Sequence, residues 1–253
     1  AFPDAGALSG ADGLSVADSY FNARDFDKAF TLYDSFASDN PSSEYAPAAL
    51  YKAGLSLYRL RYYTQAVETW AKLVKGYPAA PETETAEFQS ADTWFRAQKY
   101  PEAAGSYGAI ISKYQKSRQL PLAYLRQAQI YYNQKDDLKT VEQAKTVASL
   151  FPDSPEAADA FDLMEAAFDR SAPIDFKTAL GALTEREPKD HASGEALFRL
   201  GRRLFEKKDY PGSIENLKKF SVDYIGHTAI KDAQFYLGEA YFQAVDMRDS
   251  AGV

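Results

Sequence analysis

Residues 49–58 read Ala49-Leu50-Tyr51-Lys52-Ala53-Gly54-Leu55-Ser56-Leu57-Tyr58, and they are followed by Tyr62-Tyr63, by Gln65-Ala66-Val67-Glu68-Thr69-Trp70-Ala71-Lys72-Leu73 and by Tyr77-Pro78. Within this stretch apolar residues recur at helical spacing twice, separated by a tight connection. Leu50, Ala53, Gly54 and Leu57 form one stripe, and Ala66, Trp70 and Leu73 form the stripe that faces it. Gly54 and Ala66 are small where two helices have to approach closely, so a bulky residue at either should overpack by about 1–3 kcal/mol. The stretch is an antiparallel helix pair.

The pair recurs along the whole chain. Its central small position falls at Ala17, Gly54, Ala91, Ala128, Met164, Gly201 and Gly238, with gaps of 37, 37, 37, 36, 37 and 37 residues. The second-helix stripe returns as Ala29, Tyr33 and Phe36, as Ala103, Tyr107 and Ile110, and as Ser213, Leu217 and Phe220. A period of this size marks stacked units, each completing the core of its neighbour. Pro41, Pro78, Pro152 and Pro188 fall where second helices end, while Pro101 and Pro211 sit where a second helix begins and the missing N–H costs nothing. Ser154-Pro155 reads as an N-cap followed by proline in the first turn. Repeats are expected at about 13–43, 44–80, 81–117, 118–154, 155–190, 191–227 and 228–253, the last incomplete, after a flexible Ala/Gly/Ser-rich leader over 1–12.

These elements resemble the tetratricopeptide repeat family, with Leu200-Gly201, Leu237-Gly238-Glu239-Ala240-Tyr241-Phe242 and Asp209-Tyr210 in phase with its pattern. The resemblance implies an all-α, right-handed superhelical solenoid of antiparallel helix pairs that acts as a non-catalytic protein–protein interaction scaffold. Thr140, Met164, Phe176 and Ala172-Pro173 depart from the pattern in the fourth and fifth units and imply altered helix angles there. The period exceeds the family's usual length of about 34 residues. In this and in its Tyr-Pro punctuation the chain is similar to bacterial envelope members, namely the Tol-Pal-associated periplasmic coordinator and the outer-membrane lipoprotein of the barrel-assembly machinery. That likeness implies a periplasmic or outer-membrane-associated protein, with the cytoplasm as the alternative. The Lys and Asn residues of the family's carboxylate clamp are not at the inner positions, which disfavours the corresponding cochaperone role.

Composition narrows the function further. A formal net charge of -7 disfavours a phosphate-backbone ligand, so no nucleic acid partner is expected. With no cysteine there is no thiolate chemistry or disulfide, a usage that leans towards the cell envelope. No apolar run approaches the roughly 20 residues of a membrane span, so membrane contact is expected only through a removed anchor or a partner. His191 and His227 stand at equivalent loop-to-helix junctions without a metal-ligand spacing around them, and no nucleophile elbow or phosphate loop is present. No catalytic residue, metal or cofactor is expected.

The candidate binding residues come from the first helices. One register position is aromatic in every unit, at Phe21, Tyr58, Phe95, Tyr132, Phe168, Phe205 and Phe242. A second, seven residues earlier on the same face, reads Leu14, Tyr51, Phe88, Leu125, Phe161, Phe198 and Phe235. Tyr51, Tyr58, Phe88, Phe95 and Tyr132 are thus candidates to line a concave groove for an extended peptide or a helix, since rings offer large contact area at small entropic cost. Beside them lie Lys52, Arg59, Arg96 and Arg126, then Asp162, Glu165 and Asp169, then Arg199 and Arg202, so the face changes sign along the chain. Arg59, Arg96 and Arg126 are expected to fork onto carboxylates of an acidic partner. Residues 243–253 read as the turn and start of a second helix in a seventh unit that stops short of its anchors, which points to a fragment or to a covering partner. Homotypic end-to-end stacking, or service as an accessory domain of a longer protein, are the other readings of that end.

Overall fold

In a computed structural model the described residues are 11–170, 175–184 and 190–250. They form α-helices α1 (Ala11–Asn22), α2 (Phe26–Asp39), α3 (Ala46–Arg59), α4 (Tyr63–Gly76), α5 (Pro81–Arg96), α6 (Tyr100–Lys113) and α7 (Leu120–Asn133). After these come α8 (Asp137–Leu150), α9 (Pro155–Arg170), α10 (Phe176–Thr184), α11 (His191–Glu206), α12 (Tyr210–Asp223) and α13 (Ile230–Ser250). There is no strand among the described residues. Two compact halves meet in sequence at Ala123 and Tyr124.

Five of the hairpin tips, all within the described residues, close in the same way, because the helix must stop where the chain reverses. Arg24, Arg61, Gln98, Lys135 and Lys208 adopt φ of 62°, 65°, 57°, 62° and 62°. The next amide then donates back across the tip, from Asp25 to the Tyr20 carbonyl, from Tyr62 to Leu57, from Lys99 to Trp94, from Asp136 to Tyr131 and from Asp209 to Leu204. This is the Schellman closure, made here by long unbranched residues in the left-handed region. Asp25, Asp136 and Asp209 then cap the following helix by accepting from the amides of Lys28, Lys139 and Gly212. One aspartate thus ends a turn and starts a helix.

Packing follows the stripes. Ala29, Tyr33 and Phe36, Ala66, Trp70 and Leu73, Ala103, Tyr107 and Ile110, and Ser213, Leu217 and Phe220 are all buried. Burying one large apolar side chain of this kind contributes about 1.5–3 kcal/mol. In the N-terminal half a Cβ on Gly54 would lie 2.6 Å from Trp70 Cε2, and in the C-terminal half a Cβ on Gly201 would lie 2.6 Å from Leu217 Cγ. In these two pairs glycine is what lets the second helix seat that closely.

Three details differ from the sequence expectation. First, α1 already begins at Ala11, inside the stretch expected to be a leader; residues 1–10, Ala172-Pro173 and Pro188 lie outside the described residues. Second, the Ser154 hydroxyl is buried without a hydrogen-bond partner and does not cap α9, whose first turn is closed by the Ser154 carbonyl accepting from Ala157.

The third difference is at α13, which runs 21 residues without the turn expected near Gln243. The tip register, which holds Arg24, Arg61, Gln98, Lys135 and Lys208, puts Val245 there. A β-branched side chain is strongly disfavoured at positive φ, so the helix continues.

Candidate functional site

In the N-terminal half the first-helix positions singled out from sequence divide by burial. Phe88 is buried in the core, whereas Tyr51, Tyr58 and Phe95 are partly exposed. The rings are also held from behind. Tyr51 lies 6.4 Å from Trp70, whose Nε1 donates to the Tyr51 carbonyl at 3.0 Å. Tyr58 lies 5.7 Å from Tyr63 and Phe95 lies 6.0 Å from Tyr100. Phe21 and Phe26 repeat the arrangement at 5.3 Å, in an edge-on contact. The aromatic column therefore clasps the tip of each hairpin with one edge and leaves the other towards solvent. Sequence reading registered the column and missed its partner five residues on, although Phe26, Tyr63 and Tyr100 recur at the same period.

The cations of this half are not equivalent. Lys52 is paired with Asp18 at 2.6 Å, and Asp18 also accepts from the buried Tyr33 hydroxyl. Burial, and then the Asp18 carboxylate, push the Tyr33 pKa far above the ordinary phenol value. Arg96 bonds Asp92 one turn earlier at 2.6 Å, a contact that raises its pKa. Arg59 is exposed, and no ion pair or hydrogen bond of its side chain is seen among the described residues.

On the other side of the same half, α4, α5 and α6 enclose a groove of about 330 Å³ walled by Val67, Val74, Ala109 and Ile110. Its floor carries Glu87 and Ser90 at positions where α3 has Leu50 and Ala53. Glu87 holds Lys113 at 2.9 Å, and Lys113 also lies 4.8 Å from the centre of the Tyr114 ring.

In the C-terminal half Tyr132 is covered by the Arg170 guanidinium, 3.8 Å from the ring centre, and Arg170 is itself paired with Asp137. Arg126 donates to Gln129 at 2.8 Å. The sign change expected between the fifth and sixth units is an ion-pair ladder between α9 and α11. Arg199 meets Asp162 at 2.8 Å, Glu165 at 3.5 Å and Glu195 one turn away. Arg202 meets Glu165 at 2.5 Å, and Arg203 meets Asp169 at 2.7 Å. The Arg199 side chain is only 12% exposed, and although burial acts against its charge, Glu195 and Glu165 more than compensate and raise its pKa. These charges complete one another and do not form a face of either sign.

The two histidine rings lie against each other at a tilt of 36°, with ring centres 4.9 Å apart. His227 Nδ1 accepts from the Ala229 amide at 3.2 Å and its Nε2 lies 3.7 Å from Glu195. His191 and Glu195 border a cleft of about 430 Å³ that also includes Ser154, Phe161 and Thr228. Among the described residues no group of His, Asp or Glu is arranged to hold a metal ion, and no helix is long and apolar enough to cross a membrane.

The tetratricopeptide repeat family model matches residues 14–43, 48–80 and 122–154. No curated protein matches the chain. Among solved structures, YrrB, described as a tetratricopeptide repeat protein with an unusual peptide-binding site, is 13% identical, covering 87% of this chain and 89% of that one at TM-score 0.42. A tetratricopeptide repeat protein from Parabacteroides merdae ATCC 43184 is 12% identical over 90% of this chain and 97% of that one, at TM-score 0.49. The apo form of RapI is 8% identical over 96% and 87%, at TM-score 0.47. The three segments that the family model matches fall in phase with the helix pairs α1–α2, α3–α4 and α7–α8, and the chain is an all-α array of the tetratricopeptide repeat fold.

Proposed function

We propose that this chain is a non-catalytic protein–protein interaction scaffold that receives an acidic partner segment on the first-helix surface of its N-terminal half. The observation that carries the reading is the contrast among its cations. Arg59 stands exposed at the C-terminal end of α3, the helix that carries the partly exposed Tyr51 and Tyr58, with no ion pair of its side chain among the described residues, while Arg199, Arg202 and Arg203 are consumed by carboxylates of their own half. A guanidinium beside aromatic edges offers forked hydrogen bonds to a carboxylate and contact area for the chain that bears it. Arg96 is more than half exposed and bonds Asp92 one turn earlier on its own helix, so its outer edge is open to the same partner.

The test is fluorescence anisotropy against a panel of labelled peptides of graded acidity. Arg59→Glu together with Arg96→Glu should weaken the acidic binders at least fivefold while circular dichroism stays unchanged. Unaltered affinity would end the proposal. Tyr58→Ala separates the ring's two duties, because loss of binding with an intact melting curve reports recognition and a lowered melting curve reports the clasp on Tyr63.

The reading extends to a bacterial cell-envelope assembly, periplasmic or at the outer membrane, supported by the absence of cysteine and by the long repeat. Osmotic-shock fractionation that recovers the chain only with cytoplasmic markers would remove that extension.

A further inference from the structure

Three hairpin tips carry a lysine over an aromatic ring of one register position. Lys28 lies 5.2 Å from the centre of the Tyr20 ring, Lys99 lies 4.6 Å from that of Trp94, and Lys139 lies 5.3 Å from that of Tyr131. At two of the three a carboxylate completes the group, since Asp25 meets Lys28 at 2.8 Å and Asp136 meets Lys139 at 3.0 Å. The third tip lacks it. Lys99 itself occupies the register of Asp25 and Asp136, while Glu102, in the register of Lys28 and Lys139, is exposed, and no ion pair between it and Lys99 is seen among the described residues. Beside Lys99, between the α3–α4 and α5–α6 tips, opens a cleft of about 570 Å³ bordered by Arg61, Tyr62, Tyr63 and Trp94. Two cations and no carboxylate line it. Tyr62 is 53% exposed, and Trp94 is partly exposed where Leu57, Ala167 and Leu204 of the same register are buried. Tyr63, 5.7 Å from Tyr58, joins the cleft to the first-helix surface.

We propose that this cleft anchors an acidic residue and an adjacent aromatic one from a segment of a partner protein. The carboxylate pairs with Lys99, as Asp25 and Asp136 pair with the lysines of their own tips, and with Arg61, while the ring seats against Tyr62 and Trp94. The two cations select charge through charge-assisted hydrogen bonds, and the aromatic walls select a ring. A second copy is a poor occupant, because each chain carries a formal net charge of -7 and copies of like charge repel. The inference rests on the reading of the N-terminal half as a surface for an acidic segment, and it adds which residues of that segment are held.

The probe is a fluorescent peptide with Ser-Asp-Phe-Asp-Ser at its centre, followed by anisotropy at low salt. The full chain should bind it saturably. Lys99→Glu and Arg61→Glu, both at exposed positions, should each weaken binding at least tenfold without lowering the melting temperature, whereas Glu102→Gln should not weaken it. Probes with Asn in place of both Asp, or Gly in place of Phe, should each bind at least fivefold more weakly. Of the two tryptophans Trp70 is fully buried, so the unlabelled peptide should alter tryptophan emission in the parent and not in Trp94→Phe. Absence of saturable binding overturns the proposal. Binding that Arg59→Glu with Arg96→Glu abolishes and Lys99→Glu leaves unchanged overturns it too, while the reading of the first-helix surface survives. Binding that needs Lys99 and ignores Arg59 and Arg96 supports the cleft and removes that reading's choice of residues. Self-association in sedimentation that Lys99→Glu abolishes would also overturn the proposal, by making a second copy the occupant.

Discussion

Trp70 closes over Gly54, and it is held there by its own hydrogen bond: a Cβ on the glycine would stand 2.6 Å from Cε2, while Nε1 donates to the Tyr51 carbonyl at 3.0 Å. The indole has no free direction of retreat.

Gly54→Ala is therefore expected to destabilise the N-terminal half by about 1–3 kcal/mol through overpacking. Gly105, inside α6, meets nothing within 4 Å, so Gly105→Ala should instead stabilise by about 0.5–1 kcal/mol. Urea denaturation of the two variants should move in opposite directions.

Arg199 binds three carboxylates and is nearly withdrawn from water. Arg199→Met should destabilise by about 2–4 kcal/mol, since Glu195 would be left partly buried without its arginine and Glu165 would keep Arg202 alone. Lys28→Ala removes an exposed pair with Asp25 and should leave the denaturation midpoint unchanged within error. Equal effects would contradict the ladder.

Burial holds the His227 imidazole below its ordinary pKa; Glu195 opposes that shift and His191 adds to it. The unfolded chain then takes up this proton more readily than the folded one. The contribution of His227 to stability is complete above about pH 6.5 and is lost as the pH falls below that value. Between pH 7 and pH 5.5 the melting temperature should fall more steeply for the parent than for His227→Gln. Parallel curves would count against it.

Asp18 serves both Tyr33 and Lys52. Asp18→Ala should cost about 1–3 kcal/mol, because the buried Tyr33 hydroxyl loses its acceptor. In an Asp18→Ala background, Tyr33→Phe should recover part of that loss. A double-mutant cycle with no coupling would show that the hydroxyl finds another acceptor.

The hairpins were legible because two independent signals coincide in them. Small residues recur at the points of closest approach, and proline recurs at the helix ends. Buried Trp70 and Leu217 occupy the places their stripes assign. The candidate site was less legible, because a list of residues on one helix face leaves their neighbours unstated. Asp162 and Glu165 stand 37 residues before Arg199 and Arg202, one full repeat, so their charges cancel between adjacent first helices. Tyr58 likewise counts as a surface ring on α3 until Tyr63 is set against it across the tip. The continuation of α13 rests on a single residue type, valine at 245, in a register where every described tip has an unbranched side chain.

Within each half, α1 touches α2, α2 touches α3 and α3 touches α4, and α11, α12 and α13 follow the same rule, so structural support passes chiefly between elements close along the chain. Stretched from its ends, such a polypeptide has no distant strand pairing among its described residues to shear. It should yield in a sawtooth of small, reversible steps, hairpin after hairpin, and recoil quickly when released, behaving as a soft spring.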